Sequence, residues 1–128
     1  MAQRPIEMIL MRQLAGCISV PICVLDERGA LLYCNEPAEQ LLGRPLEEIE
    51  RLALPDRWAL LRPTDETGAP LDPAALPESV AIRERRPLHR VIAITAPQGR
   101  TRRVAVTAFP VMRQNGHPFG AVSILWDA

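Results

Sequence analysis

The sequence predicts an α+β domain, and three stretches carry that reading. Pro21 to Gly43 reads as strand, tight turn, strand and short helix, Leu88 to Trp126 as three consecutive strands, and Pro5 to Ala15 as an amphipathic helix. Short turns join the first two strands and the last three, which makes these sequence neighbours antiparallel hairpins.

In the opening helix, Ile6, Ile9, Leu10 and Leu14 form an apolar stripe, which Met8 and Met11 widen. Gly16 is the expected stop, so residues 1–16 read as a helical segment and 17–128 as the main domain. Val20 to Leu25 is then a continuous apolar run, the pattern of a strand covered on both faces. In the turn Asp26-Glu27-Arg28-Gly29, Asp bonds the backbone just after it and Gly supplies the positive φ that reverses the chain. Asn35 stands where an N-cap would, Ala38, Leu41 and Leu42 share one helical face, and Gly43 ends the helix.

From Arg44 to Arg86 the chain is rich in Pro. Leu46 to Leu54 predicts one or two helical turns broken by Pro55, and Trp58 to Arg62 a short excursion closed by a turn from Thr64 to Gly68. Asp72 caps a helical start at Pro73, Pro77 delays the regular part, and Glu78 to Arg85 is the expected helix. The last strands are predicted at Leu88–Thr95, Thr101–Phe109 and Phe119–Trp126, with hairpin signals at Pro97-Gln98-Gly99 and Gln114-Asn115-Gly116.

Composition removes several function classes. Hydrophobic residues at 48% suffice for one core, and fifteen basic against fifteen acidic residues leave nothing to draw the chain to nucleic acid or an anionic membrane. Every basic residue is Arg, which a GC-rich genome explains. No apolar run reaches bilayer length and no signal peptide is present, so a cytoplasmic location is expected. Cys17, Cys23 and Cys34 are odd in number and lie in or beside apolar runs, which fits reduced thiols better than a disulfide frame. The basic clusters Arg83–Arg86 and Arg100–Arg103 fit a solvated helix end and an exposed strand end.

Val24-Leu25-Asp26, Gly29, Tyr33-Cys34-Asn35, Ala38, Leu41-Leu42-Gly43 and Glu48 resemble, without a gap, the opening hairpin and first helix of PAS sensor domains. Gly99, Pro110, Gly116, Gly120 and Asp127 fall where the family usually carries them, so the resemblance spans roughly residues 18 to 127. The middle segment resembles a subgroup of multidomain bacterial signalling proteins, in which a similar Gly-Pro-Leu turn precedes the connecting helix. The resemblance implies the PAS fold, with sheet order 2-1-5-4-3, helices across one face and the N-terminal helix on the other. Asp127-Ala128 stands where the family's Asp-x-Thr exit signal begins, without its Thr, which implies a longer protein.

Sensor members hold cofactors between sheet and helices. If Leu25, Leu31, Ile94, Val106 and Leu125 point inward, as the resemblance implies, alternation adds Cys23, Tyr33, Ile92, Val104, Ala108 and Ser123, and Ala38 and Leu42 close the space from the helix. That wall is apolar apart from Tyr33, Ser123 and the thiols, so the expected ligand is small and apolar. Flavin members carry an Asn-Cys-Arg-Phe-Leu-Gln motif and polar amides on the inner strands; here Ile94, Val104 and Leu125 stand at the amide positions. Haem members take an axial His from the helix before the third strand, and Asp72 to Arg85 has none; His89 reads as a rim residue and His117 as a solvated turn residue. The cysteines lack zinc spacing, and no phosphate loop or catalytic constellation stands out, so no metal and no catalysis are expected.

The reading is a non-catalytic sensory or relay module that passes a change in its pocket to an effector of histidine-kinase, phosphatase or cyclase type. The alternative is a ligand-free dimerisation or protein-interaction scaffold. Ile22, Val24, Leu32, Val122, Ile124 and Trp126 form an apolar outer sheet face. A homodimer is therefore expected through Ile6, Met8, Ile9, Leu10, Met11, Leu14, Val24, Ile124 and Trp126, with the helix also covering the sheet.

Overall fold

The computed structural model describes residues 9, 10, 13, 14, 17–45, 47, 48, 60–95 and 99–128. Strands β1 (Ile22–Asp26), β2 (Leu31–Cys34), β3 (Leu88–Thr95), β4 (Thr101–Met112) and β5 (Pro118–Asp127) form one antiparallel sheet in the order β2-β1-β5-β4-β3. Helix α1 spans Glu36–Leu42, and α2 spans Pro77–Glu84 after a 3-10 turn at Pro73–Ala75. The architecture and strand order are those the sequence led us to expect.

Local chemistry explains the elements. Asp26 Oδ1 accepts from the N–H groups of Arg28 and Ala30 at 2.8 and 2.9 Å, and Gly29 takes φ +85°, so the first hairpin turns where the side chain and the glycine allow it. Asn35 caps α1 by accepting from Ala38 N–H at 3.1 Å. Asp72 caps the 3-10 turn through Ala74 N–H at 2.8 Å, and α2 opens on Pro77, whose missing N–H has no helical partner to lose there.

The first hairpin departs from simple alternation. Cys23 pairs with Cys34 and Val24 with Tyr33, yet Leu25 pairs with Leu31, so Leu32 is one residue too many for β1 and the ladder bulges. Leu31 and Cys34 therefore join the inner cluster, while Leu32 and Tyr33 pack with the outer one.

β4 and β5 extend beyond the expected ends at Phe109 and Trp126. The Ala128 N–H bond to Arg103 C=O at 3.2 Å puts odd-numbered β4 residues on the hydrogen-bonded rungs with β5, so the Pro110 nitrogen points away from β5. β3 has already ended its pairing at Leu88 with Ala108, so that nitrogen forfeits no rung. Gly120 pairs with Asp26 where the strands approach closely, and a Cβ there would collide with the Leu25 carbonyl oxygen.

Among the described residues, apolar groups segregate into three clusters. The inner one lies between sheet and helices, around Leu25, Leu31, Leu41, Leu42, Ile92, Ile94, Val104 and Val106. The outer one joins Ile22, Val24, Phe119 and Val122 to Ile18, Leu32, Tyr33, Phe109, Val111 and Ile124. The third is Ala81, Ala108 and Ala121 with Ile82, small side chains that let α2 lie close on β4 and β5.

The N-terminal segment is described only in part. Ile9, Leu10, Gln13, Leu14 and Cys17 are helical, whereas the expected stop at Gly16 lies outside the described residues. Ile9, Leu10 and Leu14 are exposed, Leu14 at 61%, and among the described residues Ile18, Phe109 and Phe119 pack on the outer sheet face. Glu47 and Glu48 are helical, while the remainder of Leu46–Leu54, together with Ile6, Met8, Met11 and Trp58, lies outside the described residues. Among the described residues, no helix is long and apolar enough to cross a membrane.

Candidate functional site

A cavity of about 90 Å³ lies between the sheet and its helical cover. Its floor comes from all five strands: Cys23 and Leu25, Leu31, Ile92 and Ile94, Val104 and Val106, Ser123 and Leu125. Its roof is Leu42 at the end of α1, Leu61 and Pro63 from the segment before β3, Leu76, and Glu78 in the first turn of α2. The segment carrying Leu61 and Pro63 is tied to the edge of β3, where Thr64 N–H donates to Ala93 C=O at 2.8 Å and Ala93 N–H to Thr64 C=O at 3.0 Å. Asp65 Oδ1 closes the next turn, accepting from the N–H groups of Thr67 and Ala69.

Of the residues expected to line this space, Cys23, Leu25, Leu31, Leu42, Ile92, Ile94, Val104, Val106, Ser123 and Leu125 do so. Three are elsewhere. Tyr33 is turned to the outer cluster by the bulge at Leu32. Ala38 is buried in the inner core behind the wall. Ala108 is buried against Ala81 and Ala121, where α2 already fills the space above it. Sequence reasoning missed Leu61, Pro63, Leu76 and Glu78, which come from the Pro-rich stretch that carries no long periodic signal.

The polar side chains on the wall are the Cys23 thiol, the Ser123 hydroxyl and the Glu78 carboxyl. Cys23 pairs with Cys34 on one side and with Ser123 on the other, and Ser123 pairs with Ala108, so these residues form a row across the sheet. His89 stacks on Trp126 with ring centroids 6.0 Å apart, and its Nδ1 lies 2.7 Å from Thr107 Oγ1. Neither it nor His117 lines the cavity. Among the described residues, no group of three or more His, Cys, Asp or Glu could hold a metal ion.

Among the described residues, the wall offers neither the amides of a flavin site nor a His for haem iron. Ile94, Val104 and Leu125 face the space where a flavin edge needs amides, no His reaches it for haem iron, and sites for ligands of that size are roughly 300 Å³ or more. A cavity of about 150 Å³ holds benzene, so 90 Å³ suits an apolar molecule of a few heavy atoms.

The chain's exit is coupled to the cover. Arg102 binds Asp127 through two parallel bonds, Nε to Oδ1 at 2.7 Å and Nη2 to Oδ2 at 2.8 Å, and its Nη1 reaches the Leu41 carbonyl in α1 at 3.4 Å. Hydrogen bonding from the guanidinium, aided by its charge, holds the Asp127 carboxyl below the usual carboxylate range. Of the residues expected at a dimer interface, Ile9, Leu10, Leu14 and Trp126 are exposed and Ile124 is half-buried, whereas Val24, at 1%, is already covered within its own chain.

The same fold recurs in known structures. The PAS domain of BvgS from Bordetella pertussis is 20% identical over 95% of this chain and 85% of that one, with a TM-score of 0.66. A LOV protein of Rhodobacter sphaeroides is 16% identical over 96% and 68%, with a TM-score of 0.75. A domain of a sensory box sensor histidine kinase/response regulator from Geobacter sulfurreducens is 18% identical over 94% of each chain, with a TM-score of 0.63. No curated protein sequence matches the chain. A PAS domain family model matches residues 10–74, just over half of the 128 residues, and the chain belongs to the PAS domain family.

Proposed function

We propose that this PAS domain is a sensory or signal-relay module whose cavity takes a small, uncharged, apolar molecule. The observation that carries the reading is the apolar space of about 90 Å³ between sheet and helices, to which every strand of the sheet contributes. A molecule entering it presses on Leu42 and Leu125. Leu42 adjoins Leu41, whose carbonyl Arg102 touches, and Leu125 lies two residues before Asp127. The change therefore reaches the chain's exit, and from there an attached or partner effector of histidine-kinase, phosphatase or cyclase type. The catalysis belongs to that effector, and reduced thiols suit a cytoplasmic setting.

The exposed Ile9, Leu10 and Leu14 and the half-exposed Trp126 support a homodimer as the relaying unit. Native mass spectrometry with an absorbance spectrum tests the reading: a dimer without visible absorption, carrying at most a small apolar adduct, is expected. A bound chromophore absorbing beyond the protein's own band would overturn the ligand assignment, and a monomer at micromolar concentration would overturn the dimer.

A further inference from the structure

Cys23 and Cys34 face each other across the β1–β2 ladder. Asn35 N–H donates to Ile22 C=O at 3.1 Å and Ile22 N–H to Asn35 Oδ1 at 3.0 Å, so the neighbouring rung is the hydrogen-bonded kind. The Cys23–Cys34 rung is therefore non-hydrogen-bonded. The other edge of β1 agrees in phase, since Leu125 N–H donates to Pro21 C=O at 3.0 Å, which turns the backbone groups of Cys23 toward β5. On such a rung the Cα atoms stand about 4.5 Å apart with their side chains on one face. A disulfide spans roughly 4.4 to 6.8 Å between Cα atoms, so side-chain rotation alone suffices to join these two.

The two thiols differ in access. Cys23 is part of the cavity wall, whereas Cys34, at 1% exposure, lies behind it. A water molecule claims about 30 Å³ of its liquid and a hydroperoxide a little more, so the smallest peroxides fit the 90 Å³ cavity.

We propose that Cys23 and Cys34 are a redox pair, with Cys23 the thiol attacked by a small hydroperoxide in the cavity and Cys34 the thiol that resolves it. The Cys23 sulfur attacks one peroxide oxygen and the O–O bond breaks. The other oxygen leaves as hydroxide and takes the thiol's proton to become water, so Cys23 becomes a sulfenic acid. The Cys34 sulfur then attacks the Cys23 sulfur, the S–O bond breaks, and a second water leaves with the Cys34 proton. In sum, two thiols and one hydrogen peroxide give one disulfide and two waters, the sulfurs losing two electrons and the peroxide gaining them. The new bond forms beside Asn35, whose amide nitrogen donates to the carbonyls of Val20 and Ile18, so oxidation acts at the junction of the incoming chain and α1. This inference does not depend on the cavity holding a ligand.

The test starts from Cys17→Ser protein, which removes the exposed third thiol. The folded protein is treated with hydrogen peroxide, unfolded, alkylated and weighed. The expected result is loss of two hydrogen atoms with both thiols blocked, reversed by dithiothreitol. Adding Cys34→Ser should stop the reaction at a Cys23 sulfenic acid that dimedone traps, and adding Cys23→Ser should leave Cys34 unmodified over the same time. Two alkylatable thiols after full peroxide exposure would overturn the proposal, as would Cys34 alone reacting as fast as Cys23 alone. Should a serine variant fail to fold, peptide mapping of the oxidised Cys17→Ser protein decides: a cross-linked Cys23–Cys34 peptide supports the pair and its absence refutes it.

Discussion

Ile22 and Asn35 close one rung of the sheet with a side chain standing in for a carbonyl. Asn35 N–H donates to Ile22 C=O at 3.1 Å, but the return bond from Ile22 N–H goes to Asn35 Oδ1 at 3.0 Å. The main-chain carbonyl of Asn35 is thereby released to accept from Glu39 N–H at 3.1 Å in α1. The amide nitrogen donates to Val20 C=O at 2.8 Å and Ile18 C=O at 3.3 Å. One buried side chain thus ends a strand, begins a helix and anchors the incoming segment.

Asn35→Ala strands the N–H groups of Ile22 and Ala38 and loosens the Val20 carbonyl in a buried place. At about 1 kcal/mol for each bond lost, the expected cost is about 3 kcal/mol, measured by urea unfolding. A loss below about 1 kcal/mol would mean that water replaces these bonds freely.

The Arg102–Asp127 pair gives the domain a pH signature. Because the Asp127 carboxyl is held low in the folded state, its contribution is fully present above the unfolded value of about 3.9 and is lost as pH falls through the folded one. Asp127→Asn should therefore lower stability at pH 7, by less at high salt, and the difference from the parent should shrink as pH falls below the unfolded value and vanish once the folded-state carboxyl is protonated. Thermal melts across pH check this, and a difference that persists in acid would assign the effect to something other than the ion pair.

Ala108 distinguishes a filled contact from a hollow one. Packed on Ala81 and Ala121, it has no room to grow, so Ala108→Phe is expected to cost about 3 kcal/mol through overpacking. Val106→Phe points into the cavity and should cost less than about 1.5 kcal/mol. Parallel denaturation curves in which both variants lose the same stability would place the empty space elsewhere.

The fold was largely legible because alternation in β3, β4 and β5 is unbroken across the region that forms the cavity floor. With Ile94, Val106 and Leu125 placed inward by the resemblance, Ile92, Val104 and Ser123 could be assigned the same face by counting in twos. Tyr33 could not, because the extra residue at Leu32 resets the count and nothing in Leu31-Leu32-Tyr33-Cys34 announces a bulge. Ala108 misled for another reason: a small residue beneath a closely packed helix looks, in sequence, like a small residue beside a cavity. Leu61 and Pro63 escaped notice because their segment is placed by two isolated bridges, Thr64 to Ala93 and Thr64 to Pro70, and by one Asp65 turn. Such local contacts leave no periodic pattern.

The cavity is the central claim, and methyl-resolved NMR during a titration with xenon tests it most directly. Saturable shifts concentrated on Leu25, Leu31, Leu42, Ile92, Ile94, Val104, Val106 and Leu125, abolished by Val106→Phe, are the expected result. A folded protein whose methyl resonances do not move in a saturable way, or move equally in the Val106→Phe variant, would contradict it.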